Sequence, residues 1–246
     1  MIIHIYIILC FILYNLIKRQ YNIETFQNYS NIFVYVINLD RNNERLMRFM
    51  KNYNIFENKK IERFSAINGK ELSYDYLSKV TTNDVLEGIK LIDITRERKF
   101  ENQLTRGMIG CYLSHIKIYE NALIRKRNNL LILEDDADIT LDIIKNINFE
   151  DFPRDWDIIL VGWVNIFKKE NITEKVDKIY NFWGTHCYFI NKNGMKKMLK
   201  ECIPIIMQID YYMSKLANDG AINIYGYKKN MILQNSIYSD VQMVVR

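Results

Sequence analysis

Short apolar runs alternate with helix-like segments along most of this chain, and this alternation constrains the fold more than any other feature. Runs rich in β-branched, aromatic or leucine residues predict strands at 32–39, 61–67, 130–133, 157–161, 186–190 and 222–227. Helical spacing of apolar residues predicts helices at 46–53, 71–93 and 107–126, with a loop at 94–106. Strands separated by helices are typical of an α/β protein, so we expect a mainly parallel twisted sheet flanked by helices.

The composition suits one such domain with a short appendage. The chain has 246 residues, of which 49% are hydrophobic, enough to form a packed core and to exclude general disorder. Only 9 Gly and 2 Pro exclude collagen-like and proline-rich architectures. The 4 cysteines show no C-x-x-C spacing, which argues against a cysteine-based zinc site and a disulfide framework.

The net charge of +5 does not indicate a nucleic-acid partner. Lys18 and Arg19 belong to the N-terminal segment, and the dense basic run at 95–99 contains no aromatic residue. A groove for nucleic acid combines basic with stacking aromatic side chains. We therefore expect a solvated loop at this run and no nucleic-acid binding.

The first residues predict a membrane anchor. Residues 2–17 are apolar except for His4 and Asn15, and Lys18 and Arg19 follow them. The run lies near the lower limit of about 17 residues for a spanning helix and lacks a signal-peptide cleavage site. We expect a hydrophobic anchor helix at 1–20, a connector at 21–30 and a folded domain at 31–246. Because the basic pair follows the apolar run, the positive-inside rule favours a cytosolic location for that domain.

An acidic group marks the end of one predicted strand and is the sharpest chemical feature. Glu134, Asp135 and Asp136 follow the apolar run directly, with Asp138 beyond them. Ligands of open α/β sheets bind at the carboxyl ends of strands. Clustered carboxylates there would hold a hard divalent cation, Mg²⁺ or Mn²⁺, together with phosphate oxygens. The alternative is a charged turn whose aspartate caps the next helix.

Other polar side chains are expected at the same edge of the sheet. Asn38 and Arg41 follow the first predicted strand, where a nucleotide would be bound, and Arg45 lies four residues further on. A guanidinium near a pyrophosphate can form paired charge-assisted hydrogen bonds. The alternative is a solvated pair of surface arginines.

Seven blocks of the sequence, in order, closely resemble glycosyltransferase family 25, which contains lipopolysaccharide and procollagen galactosyltransferases. They are VINLDR at 36–41, FSAING at 64–69, LTRGMIGCYLSH at 104–115, LILEDD at 131–136, WDIIL at 156–160, GTHCYFI at 184–190 and QID at 208–210. The resemblance covers roughly residues 32–240. It departs from the family at Met108, where many members carry Glu.

The resemblance implies a GT-A-type nucleotide-binding fold and inverting transfer of a hexose, galactose or glucose, from a UDP-sugar. The acceptor would be a glycan, a lipopolysaccharide or a glycoprotein, and the cofactor Mn²⁺ or Mg²⁺. Carried over to this chain, Asp136 is the expected metal ligand, with Asp138 and His186 as further candidates. Side chains implied to contact the nucleotide-sugar are Asn38, Arg41, Arg45, Asn68, Ser114, His115, Glu134 and Asp135.

Inverting transfer also needs a carboxylate that takes the proton of the acceptor hydroxyl. Asp210 is our first candidate because it resembles the family's late aspartate ahead of a helix, and Asp157 is the second. In isolation, Asp210 equally suits the N-cap of that helix. His115, on a predicted helix, has Tyr119 rather than a metal-binding residue at i+4, which favours a structural hydrogen-bonding role.

Two other functions remain open from the sequence. Asp136, Asp138 and Thr140 match the D-x-D-x-T opening of haloacid-dehalogenase-type phosphatases, but no later metal-binding block follows. A catalytically degenerate nucleotide-sugar-binding protein is the non-enzymatic alternative, and Met108 is the residue that favours it.

Overall fold

The computed structural model describes residues 32–52, 61–139 and 147–234. The predicted anchor and connector lie outside these residues, so both remain predictions. No helix within the described ranges is long and apolar enough to cross a membrane.

The described residues form one large sheet with a small two-stranded partner. The strands are β1 (Ile32–Asn38), β2 (Ile61–Ser65), β3 (Asn129–Glu134), β4 (Ala137–Asp138), β5 (Ile158–Gly162), β6 (Asn165–Asn171), β7 (Val176–Trp183), β8 (Cys187–Asn191), β9 (Ile224–Tyr227) and β10 (Leu233–Gln234). The large sheet has the order β2-β1-β3-β8-β5-β9-β7-β6, and β10 pairs with β4.

Helices separate the strands and cover the sheet. They are α1 (Asn43–Asn52), α2 (Tyr74–Val80), α3 (Asn83–Thr95), α4 (Arg106–Ile124), α5 (Lys192–Leu199) and α6 (Ile209–Asn218). Short 3₁₀ turns lie at Gly69–Glu71 and Phe149–Asp151. The α/β class predicted from the sequence is therefore confirmed.

The sheet is mixed, which corrects the expectation of a mainly parallel one. β1 is parallel to β2 and β3, and β5 is parallel to β9. β8, however, lies between β3 and β5 and is antiparallel to both. β7 is likewise antiparallel to its two neighbours, β6 and β9. The apolar pattern could not reveal these directions, because a strand buried on both faces has the same continuous apolar sequence in either orientation.

The core lies on both faces of the sheet. Tyr35 and Ile37 of β1 pack on one face with α4, α5 and α6, whereas Val34 and Val36 pack on the other with Phe49 of α1. Alternate residues of one strand point to opposite faces, so this division follows from the geometry of the strand.

The helix expected at 71–93 is divided into α2 and α3. Ser73 caps α2 by accepting a hydrogen bond from the backbone N–H of Tyr76, and Thr82 caps α3 by accepting one from Val85. The break falls at Val80, Thr81 and Thr82, whose β-branched side chains have low helix propensity. A second cap therefore starts a new helix where helical periodicity alone predicted continuity.

Candidate active site

Small residues of α4 allow a loop to approach its N-terminal turns. A Cβ atom on Gly110 would lie 2.4 Å from the carbonyl oxygen of Ile67 and 2.7 Å from the backbone nitrogen of Gly69. Ser114, one turn further on, accepts a hydrogen bond from the N–H of Ile67 at 2.9 Å and donates to the carbonyl of Gly110 at 2.7 Å. This packing fixes the loop after β2 against α4. Ser114 therefore has a structural role in addition to lining the adjacent cavity.

The acidic group lies at the carboxyl end of β3, as the sequence predicts. Glu134 is the last residue of the strand, and Asp135 and Asp136 form the turn that follows. Arg45 of α1 contacts both aspartates, and its distance to Asp136 Oδ2 is 3.1 Å. Asn38 donates to Asp135 Oδ2 at 2.6 Å. Both oxygens of Asp135 therefore have partners within the protein.

Asp136 has one carboxylate oxygen that remains available. Its Oδ2 accepts a hydrogen bond from Gln234 Nε2 at 3.0 Å, whereas its Oδ1 is buried without a hydrogen-bond partner among the described residues. Burial and then the negative charge of Glu134 raise the pKa of Asp136. A buried oxygen of this kind is where a hard cation would bind, because the cation would replace the missing partner and offset the carboxylate repulsion.

The pKa of Glu134 is shifted in the opposite direction. Burial raises the pKa of Glu134, but the neighbouring His115 and the hydroxyl of Thr185, which donates to Oε1 at 2.8 Å, outweigh burial and lower it. Two adjacent carboxylates thus differ in their preference for a proton, which is typical of functional sites.

His115 is buried behind these carboxylates. Its Nδ1 lies 2.6 Å from the hydroxyl of Tyr188, and its Nε2 lies 3.7 Å from Glu134 Oε1. Tyr188 continues the chain of contacts to the hydroxyl of Tyr119. The structural role expected for His115 is present in the bond to Tyr188, while Nε2 still faces the acidic group.

A first cavity opens between the loop after β2, α1 and the acidic turn. Asn68, Arg41 and Lys70 contribute polar groups, and Gly69 and Gly107 also line the space. Other lining residues are Ile37, Leu39, Asn42, Arg45, Ala66, Ile67, Cys111, Ser114, His115, Glu134, Asp135, Asp136 and Gln234. The cavity therefore has cationic and amide groups at its mouth and carboxylates at its base.

A second cavity adjoins the first, and the two share Cys111, Glu134 and Gln234. Trp183 and Tyr211, with ring centroids 6.4 Å apart, give its wall aromatic surface. Other lining residues are Arg98, Glu101, Met108, Val164, Gly184, Thr185, Gln208, Ile209 and Asp210.

Asp210 lies in this second cavity, in the first turn of α6. The N-cap is Gln208, so Asp210 is not the cap that the sequence equally allowed. Its Oδ2 accepts from the N–H of Gly184 at 3.1 Å, and its Oδ1 from the N–H of Tyr211 at 2.8 Å. Burial is the main influence on this carboxyl and raises its pKa. A raised pKa suits a group that must take a proton near neutral pH.

Asp157, the second candidate for the base, lines neither cavity. It precedes β5, whose direction is the same as that of β3, so it lies at the opposite edge of the sheet from Glu134. It is buried, pairs with Lys197 at 2.6 Å and accepts a hydrogen bond from the N–H of Asn223 at 2.8 Å. Its carboxylate stabilises the fold there.

Three other candidates have well-defined positions in the structure. Asp138 belongs to β4 and lines neither cavity. His186 is buried, with Nε2 2.8 Å from the carbonyl of Ile232, and lines neither cavity. Asn38 is also buried and uses its amide to hold Asp135 and to accept from Arg63 Nε at 3.0 Å. Asp138 and His186 therefore remain predictions as metal ligands, and Asn38 positions the acidic turn.

The structure adds residues that sequence reasoning missed. Gln234 reaches Asp136 from β10, and no motif in the sequence marks it. Thr185 and Cys111 do stand within family-like blocks, but their positions beside Glu134 depend on the pairing of β8 with β3 and on the packing of α4.

Met108, the departure from the family pattern, has a structural explanation. Thr105 caps α4 by accepting from the N–H of Met108 at 3.2 Å, and the backbone N–H of Thr105 contacts the sulfur of Met108 at 3.4 Å. This is the geometry of a capping box, in which Glu is the usual third residue. Methionine supplies a weaker acceptor at the same place, so the helix start is preserved.

An α/β sheet with carboxylates lining a cavity at the carboxyl end of a central strand is typical of proteins that bind a polar ligand there. The chain belongs to glycosyltransferase family 25: the family model described as glycosyltransferase family 25 (LPS biosynthesis protein) matches residues 31–213.

Curated relatives agree with this assignment. A glycosyltransferase 25 family member of Anopheles gambiae is 28% identical over 204 residues, which are 73% of this chain and 31% of that protein. Procollagen galactosyltransferase 2 of Homo sapiens is 26% identical over 178 residues, 68% of this chain and 27% of that protein. The chain therefore spans less than a third of the length of these relatives. Among solved structures, an apo UDP-glucose pyrophosphorylase aligns with a TM-score of 0.41 and 9% identity, over 80% of this chain and 90% of that one. We draw no argument from that likeness.

Proposed function

We propose that this protein transfers a hexose, galactose or glucose, from a UDP-sugar to a hydroxyl group of a glycan or glycoprotein, with inversion and with a divalent cation. The observation that carries the proposal is the pair of adjoining cavities that meet at Glu134, one with cationic groups at its mouth and one containing Asp210. Two substrates that react by direct displacement need two such neighbouring sites.

The first cavity suits the donor. Arg41 and Lys70 at its mouth offer positive charge to a pyrophosphate, and Asn68 offers an amide to a ribose or a base. Arg45 and Asn38 hold the acidic turn in place rather than contacting the ligand directly.

The acidic turn suits Mn²⁺ or Mg²⁺. Asp136 would hold the ion through its Oδ1 atom, which is buried and lacks a hydrogen-bond partner within the described part of the chain. Carboxylate oxygens are the ligands these hard cations prefer. Such an ion supplies Lewis-acid stabilisation of the charge that develops on the departing diphosphate. Asp135 is a weaker candidate because Arg45 and Asn38 already occupy its two oxygens.

The second cavity suits the acceptor. Asp210 would accept the proton of the acceptor hydroxyl, and the N–H groups of Gly184 and Tyr211 orient its carboxylate. Inversion requires the hydroxyl to attack the anomeric carbon on the side away from the leaving group, and a base in a neighbouring cavity is compatible with that approach.

The acceptor class follows from the relatives' names only as a proposal. The human relative is named a procollagen galactosyltransferase, and the family model an LPS biosynthesis protein. A procollagen peptide and a lipopolysaccharide are therefore the first acceptors to test.

Release of UDP tests the proposal. The chain should release UDP from UDP-galactose, UDP-glucose or UDP-N-acetylglucosamine when Mn²⁺ is present. Asp136→Asn keeps the side-chain volume but removes the charge a cation needs, so transfer should fall at least ~10²-fold, the scale of one lost transition-state contact.

Asp138→Asn is the matched control, because Asp138 lies two residues away and lines neither cavity. It should retain the parent rate. Full activity of Asp136→Asn, or of the parent chain in excess chelator, would refute the metal-dependent assignment.

The structure offers no observation in favour of the two alternatives. A phosphatase of the D-x-D-x-T type needs both aspartates in one site, whereas Asp138 lies away from both cavities. Met108, which stands where many members of the family carry glutamate, contacts the N-cap of α4 through its sulfur and also lines the second cavity. Phosphate release from a monoester, without UDP release, would favour the phosphatase.

The topology proposed from the sequence is an N-terminal membrane anchor with the catalytic domain in the cytosol. It is supported only by the apolar run and by the basic residues Lys18 and Arg19. Of two N-glycosylation triplets, one begins at Asn28, outside the described residues, and one at Asn171. Asn171 is exposed at the end of β6, so a glycosylation reporter of topology is available.

A further inference from the structure

We propose that Cys111, His115 and Glu134 form a second metal site, of borderline-soft character, that binds Zn²⁺ between the two cavities and blocks transfer when occupied. One ligand atom from each residue lies within 4.8 Å of the other two. Zinc binds thiolate at about 2.3 Å and nitrogen or oxygen at about 2.0–2.2 Å, so small side-chain rotations bring the three atoms into its shell.

The ligands come from two elements that the fold holds together. Cys111 and His115 are four residues apart on α4 and therefore lie on one face of the helix. Glu134 approaches from the end of β3, with its Oε1 atom 3.7 Å from His115 Nε2. The cysteine spacing in the sequence could not reveal this site, because only one of its ligands is a cysteine.

The hydrogen bonds around His115 prepare its free ring nitrogen for a metal. Nδ1 lies 2.6 Å from the Tyr188 hydroxyl, whereas Nε2 is fully buried and has no hydrogen-bond partner among the described residues. Metal-binding histidines commonly donate their other ring N–H to such a partner, which fixes the tautomer. A bound zinc ion would select the tautomer in which Nδ1–H is donated to Tyr188, and would take the place of the Nε2 proton that otherwise faces Glu134.

This site differs chemically from the one at Asp136. A thiolate and an imidazole select Zn²⁺ or Cd²⁺, whereas carboxylate and phosphate oxygens select Mg²⁺ or Mn²⁺. Cys111 and Glu134 line both cavities, so an ion bound to them would lie where the donor sugar and the acceptor hydroxyl must meet. Three protein ligands leave a fourth zinc position open toward that space.

Cadmium titration of the full-length chain tests binding independently of any activity. A cadmium–thiolate bond gives a charge-transfer absorption in the ultraviolet, and we expect one such ion per chain. The absorption should disappear in Cys111→Ser and persist in Cys202→Ser, a matched control whose thiol lines neither cavity. It should also persist in Asp136→Asn. An absorption that survives Cys111→Ser, or that never forms in the parent chain, would overturn the proposal.

X-ray absorption at the zinc edge of the unmodified chain gives a second reading that does not depend on a variant folding. It should show one sulfur ligand together with nitrogen and oxygen ligands, and a shell without sulfur would refute the site. Tyr188→Phe should weaken zinc binding about 10–100-fold, because it removes the partner of Nδ1.

The blocking effect rests on the proposed transfer reaction and is measured separately. Zinc added in the presence of saturating Mn²⁺ should lower the transfer rate of the parent chain. The ratio of rates with and without zinc should return to one in Cys111→Ser. Zinc that binds without slowing the parent chain would refute the blocking role. A chain that transfers no sugar would refute the proposed function. In that case the cadmium titration would still decide whether the metal site exists.

Discussion

Replacing Asp210 by asparagine separates a base that acts on the acceptor from a residue that only supports α6. Both carboxylate oxygens accept backbone hydrogen bonds, from Gly184 at 3.1 Å and from Tyr211 at 2.8 Å. Asparagine has nearly the same shape but only one oxygen, and its amide group would face an N–H. It also cannot take a proton from a hydroxyl at neutral pH.

Two effects of different size follow from this geometry. Loss of a general base should lower the transfer rate about 10²–10⁴-fold. An N–H left without its acceptor should cost about 1–3 kcal/mol in the free energy of unfolding. For a domain of this size that corresponds to a fall in Tm of about 2–4 °C for each kcal/mol. The variant should therefore remain folded at assay temperature while turnover is lost.

Turnover, donor affinity and Tm should be measured on the same preparations. UDP-sugar affinity by calorimetry should stay close to that of the parent chain, because Asp210 lines only the second cavity. Asp219→Asn is the control, since Asp219 lies at the exposed end of α6 and pairs with Lys215 at 2.6 Å. Loss of donor binding without a folding defect would move Asp210 into the nucleotide site, and unchanged turnover would leave it a purely structural residue.

Three further predictions address the pH profile, the packing and the topology. Burial raises the pKa of Asp210, and a base acts only when it is deprotonated. The midpoint of the acid limb of the kcat/KM profile should therefore lie at a pH above the usual aspartate pKa of about 3.9. A midpoint at or below that value would contradict this role. Gly110→Ala should lower the free energy of unfolding by about 1–3 kcal/mol, since its Cβ would lie 2.4 Å from a backbone oxygen. Gly88→Ala, with nothing within 4 Å, should raise it by about 0.5–1 kcal/mol in a thermal or denaturant melt, and equal effects would refute the packing argument. Expressed in a eukaryotic cell, the chain should show no mass shift after N-glycan removal, and a shift lost in Asn171→Gln would place the domain in the lumen.

Much of the fold could be predicted from the sequence because its strands and long helices carry strong periodicity. β1, β3, β5 and β8 were each expected within a few residues of their observed bounds. The hairpin of β6 and β7 was missed, because β6 is mostly exposed and lacks an apolar pattern. The direction of β8 was equally hidden, since a fully buried strand has no distinguishing face.

The candidate site could be predicted only where its residues lie close together in sequence. Glu134, Asp135 and Asp136 are consecutive and directly follow an apolar run, so they can be recognised in the sequence. Arg45 can be selected from its spacing after β1. Gln234 could not be predicted, because it reaches Asp136 across 98 residues of chain. The position of Asp157 could not be predicted either, because its sequence context gives no information about which edge of the sheet it occupies.

A crystal structure with UDP and Mn²⁺ tests the proposed reaction most directly. The account predicts the diphosphate in the first cavity, near Arg41 and Lys70, and an anomalous manganese signal at the Oδ1 atom of Asp136. UDP bound in the second cavity beside Asp210, or manganese bound only at Cys111 and His115, would contradict it.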